Sequence, residues 1–260
     1  MGKVTSLETG KRGAFTWQHV ILVVLVFGPM VGLLSLDPIP QNPEYHLFAD
    51  TRQFFGIPNC FDVISNLLFL AVGIIGVQFC LRREIGIART AWIILFVGVG
   101  LVSIGSAYYH WNPTNKTLVW DRLPMTIGFM SLFVALFSEH VDKRLARLLL
   151  FPALTVGIAS VFYWYWKDDL RPYVWVQFVP LLTVPVLMIL YRNNYGYSHK
   201  WLLLIALFWY VLAKVTELYD LAIFDYTQGL VSGHSLKHLL AASGCYSILV
   251  MLHRRKLLDH

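Results

Sequence analysis

The sequence predicts an all-α, multispan membrane helical bundle, and three observations carry that prediction. The chain of 260 residues is 57% hydrophobic with a mean hydropathy of +0.59, and only 14% of its residues are charged. Soluble domains carry roughly 25% charged residues. The apolar residues gather into runs close to the roughly 20 residues that span a bilayer as a helix. None of these runs alternates as a membrane β-strand would. The basic residues, finally, fall mostly on one side of the implied spans.

Eight runs follow one another: 17–36, 60–80, 91–110, 121–138, 148–166, 173–191, 201–220 and 233–252. The first follows Lys3, Lys11 and Arg12. A signal peptide would show a shorter apolar core and a small-x-small cleavage site. No clear site follows Leu36, so a retained first span is expected. Residues 37–58 are Pro-rich and read as an ordered outer-face loop. The second run carries Asp62, Ser65 and Asn66 near its start, a polar face expected to pack toward the bundle interior. The third ends on Ser106 and His110, and the fourth opens on Asp121. The seventh carries Lys214 and Glu217, three apart and able to neutralise each other. The eighth begins with His234 and His238. The expected organisation is therefore an N-terminus and first span over 1–36, a loop over 37–58, a core over 59–252 and a tail over 253–260.

Arg82, Arg83 and Arg89, Lys143, Arg144 and Arg147, Arg192 and Lys200, and Arg254, Arg255 and Lys256 share one side of an eight-span arrangement with the N-terminal basic residues. Arg52, Lys116, Arg122, Lys167 and Arg171 are left for the other. The positive-inside rule then predicts cytoplasmic termini and an outward-facing His110–Asp121–His234 depth; the membrane expected is a bacterial plasma membrane, in keeping with the family resemblance described below. This bias accounts for the net charge of +6, so no nucleic-acid partner is invoked. Cys60, Cys80 and Cys245 lie in or beside spans and read as packing residues rather than a disulfide framework. The sequence assigns no oligomeric state.

Ionisable groups inside a membrane are costly, and they are usually paired or functional. His110, His234 and His238 lie within such runs, whereas His19, His46, His140, His199, His253 and His260 sit in loops, span ends or tails and read as solvated. His234 and His238 are four apart, as are Ser106 and His110, so each pair shares a helix face. Three imidazoles suit Zn²⁺ and leave a coordination position for water. Asp121 can act as general acid and base, or simply start its helix as a cap. Ser106 can stabilise an oxyanion, or pack as a small helix residue. Glu217 and Asp220 can support a metal-bound imidazole through its other N–H.

The order Ser106-x-x-x-His110, Asp121 and a distant His234-x-x-x-His238 resembles the alkaline ceramidases and their wider superfamily, which includes the progestin and adiponectin receptors. Asp62-Val-Ile-Ser65-Asn66 is similar to the first core span of the ceramidases. The resemblance covers about residues 45–250. It implies a seven-helix core with one added N-terminal helix, and zinc held by His110, His234 and His238. It also implies Asp121 as acid/base, Ser106 as oxyanion partner, and hydrolysis of the ceramide amide to a sphingoid base and a fatty acid. The membrane lipid substrate would enter a cavity between helices. One departure concerns calcium. The eukaryotic enzymes carry an acidic calcium loop before this span, whereas here Asp50 and Asn59 are the only candidate remnants. Calcium prefers six to eight oxygen ligands, so these two residues leave dependence on Ca²⁺ open. Two other function classes compete: a seven-helix receptor without enzymatic activity, and a proton-coupled transporter. Short loops disfavour the first, and apolar cytoplasmic halves disfavour the second.

Overall fold

Helix α1 (Trp17–Leu34) opens the described chain, which covers residues 16–192 and 197–257 of a computed structural model. There follow α2 (Cys60–Ile64), α3 (Leu67–Arg82), α4 (Arg89–Trp111), α5 (Asn115–His140), α6 (Leu145–Leu148), α7 (Leu150–Lys167), α8 (Arg171–Leu190), α9 (Leu202–Leu218), α10 (Asp220–Tyr226) and α11 (Gly233–Arg254). Among the described residues only isolated bridges, Phe54 with Ile57 and Tyr197 with Leu257, interrupt an all-α architecture. Lys3, Lys11, Arg12 and His260 lie outside the described residues.

Six of these segments are each long and apolar enough to cross a bilayer: α1, α2 with α3, α4, α5, α8 and α11. The seventh is α9 with α10, if that pair counts as one span despite a 79° bend between them. Eight runs were expected. The one that falls short is α7, which is 18 residues long but ends in Tyr163-Trp164-Tyr165-Trp166-Lys167. Such residues favour the membrane–water boundary over the hydrocarbon centre.

Two boundaries also differ from expectation, both next to candidate site residues. Helix α5 starts six residues before Asp121 because Thr114 and Thr117 form a reciprocal capping box. Asp121 therefore sits well inside the helix rather than at its cap. The run expected to continue to 220 instead turns after Leu218, so Asp220 begins a helix running in a new direction.

Helix α3 packs on α4, α4 on α5, and α5 on α7 and α8, while α11 packs on α9 and α3. This brings the end of α4 and the starts of α5 and α11 to one end of the bundle. Two glycines allow the closest approaches there. A Cβ on Gly105 would run into the carbonyl of Trp120, and one on Gly233 into the carbonyl of Thr216 and the backbone of Asp220. Pro124 has no N–H to give the Trp120 carbonyl, so α5 lacks that i→i−4 bond where α4 comes near. Gly105 and Gly233 are each next in sequence to a candidate site residue.

Helix α1 lies outside this bundle against α8. It buries only Leu22 and Val26, and its Val26 carbonyl accepts the Trp175 indole N–H at 2.8 Å.

At the opposite end, Arg255 and Glu139 form a buried ion pair at 2.9 Å, with side chains only 3% and 5% exposed. The Trp92 indole also donates to Glu139 at 2.8 Å, and Arg255 reaches the Ile85 carbonyl. Breaking a buried pair strands the surviving charge and costs about 3–5 kcal/mol. Glu139→Gln is therefore expected to lower the thermal midpoint of the detergent-solubilised protein sharply. An unchanged midpoint would show that Arg255 is neutralised elsewhere.

The 37–58 segment is strapped across the site end. Asp168 accepts from the Gln41 N–H at 2.9 Å, the Ile39 carbonyl accepts from Leu170 at 2.8 Å, and Asp220 accepts from Ala49 at 3.0 Å. Arg171 binds the Leu36 carbonyl at 2.5 Å while paired with Asp169 at 2.7 Å. That guanidinium holds the Asp169 carboxyl below its ordinary range. The contribution of this pair is therefore present above the ordinary carboxylate pKa, and it is lost as pH falls through the lowered value.

Candidate metal centre and active site

His110 lies on the last turn of α4, and His234 and His238 lie on the first two turns of α11. Ser232 caps α11 by accepting the Ser235 N–H at 2.9 Å. Asp220 accepts the His234 backbone N–H at 2.7 Å, which fixes where the helix begins. The Asn59 amide donates to the His110 carbonyl at 2.8 Å and holds the end of α4.

The three imidazoles meet. One ligand atom from each lies within 4.8 Å of the other two, and this is the one such His/Cys/Asp/Glu group among the described residues. Ring centroids are 4.8 Å apart for His110 and His234, and 5.0 Å for His238 with either. All three side chains are buried. Burying an imidazole without a partner is unfavourable, yet the His110 Nδ1 has no hydrogen-bond partner. Clustered neutral imidazoles and an unpartnered buried ring nitrogen fit a metal ion held by three histidines.

The partner of His238 is Ser65, whose Oγ lies 2.7 Å from Nδ1 and itself donates to the Asp62 carbonyl at 3.1 Å. Ser65 sits at the break between α2 and α3, which the sequence presented only as part of a polar face. Such outer partners orient a ligating ring, and their loss typically costs about 10–100-fold in metal affinity. If the three imidazoles hold a metal ion, Ser65→Ala is expected to weaken its retention by that order in a chelator competition titration. Unchanged retention would remove Ser65 from the centre.

The carboxylates expected to support the imidazoles are engaged differently. Asp220 binds backbone N–H groups of His234 and Ala49. Glu217 is paired with Lys214, with Lys237 at 2.7 Å, and with the Tyr45 hydroxyl at 3.3 Å. Lys237 also approaches the His234 Nε2 at 3.2 Å. Asp50 gives both carboxylate oxygens to Arg52, at 2.6 and 2.7 Å. Asp50 is thus paired with a guanidinium, and the Asn59 amide N–H ties the end of α4.

Ser106 and Asp121 are buried side by side on facing helices, close enough to interact, and both line a cavity of about 280 Å³. His238 lines the same cavity. Its polar end holds Tyr45, Asp121, Arg122, Lys214, Glu217 and Lys237. Phe69, Val99, Leu132, Val184, Leu203 and Ile248 mark its apolar walls. Phe48, from the strap, packs its ring 4.7 Å from His110 and 4.6 Å from His234, covering the cluster.

Several of these residues were not singled out in the sequence. Phe48 and Tyr45 lay in a loop with no periodicity. Lys237 did carry a signal, being the one charge between the two histidines of His234-Ser-Leu-Lys-His238. His46, expected to be solvated, is half-buried between the Tyr109 hydroxyl and Asn115, at 2.9 Å from each. Cys60, Cys80 and Cys245 are free thiols, two of them buried.

No curated protein matches the chain. A family model described as Ceramidase matches residues 56–259, which spans every residue of the histidine cluster together with Ser106 and Asp121. The matched stretch takes in most of the chain, and the protein belongs to the ceramidase family.

Proposed function

We propose that this ceramidase-family protein cleaves the amide of ceramide or a closely related N-acyl lipid inside the bundle, with Zn²⁺ held by His110, His234 and His238. One observation carries the reading: three buried imidazoles converge, and one of them, His238, lines together with Ser106 and Asp121 a cavity whose walls are otherwise largely apolar. Zinc held by three neutral imidazoles supplies Lewis acidity toward a carbonyl and makes water a usable nucleophile near neutral pH.

The chain supplies the rest. Asp121 takes the proton of the attacking water and returns it to the departing amine. Ser106 donates its hydroxyl to the carbonyl oxygen as negative charge develops there. The apolar walls hold the acyl chain, which sets the amide at the polar end. Phe48 and the strap shield the imidazoles from bulk water. A proton-transport path would need polar groups through the full depth of the bundle, and the charged lining gathers at one end. The bias of basic residues supports cytoplasmic termini and an outward-facing site.

The test is purified protein incubated with ceramides, with lipid products followed by mass spectrometry and metal content measured in parallel. Expected are a sphingoid base and a fatty acid in equal amounts, with about one zinc per chain. Zinc-loaded protein that leaves every N-acyl lipid intact would sink the reading.

A further inference from the structure

Lys237 lies between the two histidines of α11, three residues after His234, so the two share a helix face. Its ammonium is 3.2 Å from the His234 Nε2 and 2.7 Å from the Glu217 Oε1. The side chain is only 19% exposed, and it lines the same cavity as Ser106, Asp121 and His238. A lipid group brought from that cavity to the imidazoles therefore comes beside this ammonium.

Glu217 does not need Lys237 as its counter-charge, because Lys214, on the same helix, already pairs with the other carboxylate oxygen. The remaining carboxylates at this end of the bundle have other partners. Asp62 accepts from Ser235 at 2.6 Å and Ser232 at 3.4 Å, and its other oxygen has no partner, Lys237 included, among the described residues. Asp220 accepts from two backbone N–H groups, and Asp50 is paired with Arg52. Asp121 is buried against the Ser106 hydroxyl. Arg122, the third cation of the lining, is turned to Gln41 and to the faces of Trp164 and Tyr173. An ammonium has three donors. Glu217 takes one of those on Lys237 and the His234 ring lies near a second, which leaves a third.

We infer that Lys237 is a further catalytic residue, whose ammonium donates an N–H to the carbonyl oxygen of the lipid amide as that oxygen gains negative charge. This rests on the hydrolase reading above and adds a charged donor on α11 to the Ser106 hydroxyl on α4. No bond to Lys237 forms or breaks, and its proton stays on Nζ. The charge on the oxygen disappears when the carbonyl re-forms and the C–N bond breaks, the amine leaving with the proton that Asp121 returns. Glu217 holds the ammonium in place beforehand, so little reorganisation is needed as charge develops. Fixed donors in a water-excluded site are worth far more than the same groups in solvent.

The test compares zinc-loaded, full-length wild type with Lys237→Met and Lys237→Gln on one ceramide in mixed micelles. Both changes remove the charge; Lys237→Gln can still donate to Glu217, which answers the question if Lys237→Met does not fold. The expected result is a kcat lower by about 10²–10³-fold, the usual cost of removing one such donor. KM should stay within about threefold, because the interaction is made in the transition state, and zinc per chain should equal the wild-type value. A readout independent of turnover is equilibrium binding of the fatty acid product and of the matching fatty alcohol. Both variants should bind the acid about 10- to 100-fold more weakly than wild type does, the worth of a hydrogen bond to a charged group, and the alcohol equally well. Unchanged kcat with zinc retained would overturn the inference and leave the hydrolase reading intact. Zinc lost together with kcat in both variants would make Lys237 a structural member of the metal centre and overturn it as well. Wild-type protein that hydrolyses no N-acyl lipid would remove the hydrolase reading, and this inference with it.

Discussion

Replacing His238 by alanine is expected to abolish ceramide hydrolysis and metal binding together. His238 is the imidazole that touches both the cavity and the outer partner Ser65. Its loss would leave His110 on α4 and His234 on α11, and would remove the one imidazole of the three that lines the cavity. Zinc content measured on purified protein should fall toward zero, and product formation should fall below detection. Because metal sites are commonly linked to folding, thermal stability of the zinc-loaded wild type should also drop on adding chelator, while His238→Ala should show no such response. A variant that keeps both zinc and activity would place the reaction elsewhere.

Asp121→Asn separates chemistry from metal binding. The carboxylate lies on α5, which contributes none of the three imidazoles, and it lines the cavity beside Ser106. The side chains are nearly isosteric, so the fold and the histidine cluster should persist. General acid–base groups contribute about 10²–10⁴-fold, and kcat should fall by that order while zinc content stays at the wild-type level. Loss of zinc together with activity would instead make Asp121 a structural member of the metal centre. Full activity in Asp121→Asn would mean that another group moves the proton.

Much of this site could be read before any fold was known, because a membrane makes polar residues conspicuous. His110, His234 and His238 stood out against apolar runs, and i,i+4 spacing gave two of them a common face. The same logic exposed Asp121 and Ser106. It failed where context was less apolar. Tyr45, Phe48 and His46 sit in the strap, where polar and aromatic residues are ordinary, and nothing local reveals that the segment folds back over the cluster. Helix ends were misjudged for a related reason. Hydropathy marks the apolar stretch, whereas caps decide where the helix starts, so α5 begins at Asn115 through the Thr114–Thr117 box rather than at Asp121. Aromatic richness at the end of α7 made an apolar run look longer than its membrane-compatible part.

Composition and spacing by themselves determined an all-α membrane bundle and singled out the three histidines that converge within it. These follow from local physics: the cost of polar groups in hydrocarbon, and the 3.6-residue repeat that aligns i with i+4. Tertiary structure decided the partnerships. Ser65 rather than a carboxylate meets His238, Glu217 serves two lysines, Asp220 anchors the start of α11, and Arg122 is left without an anion. Those outcomes depend on contacts between segments up to 173 residues apart, and sequence spacing within one helix carries no information about which neighbour will be there.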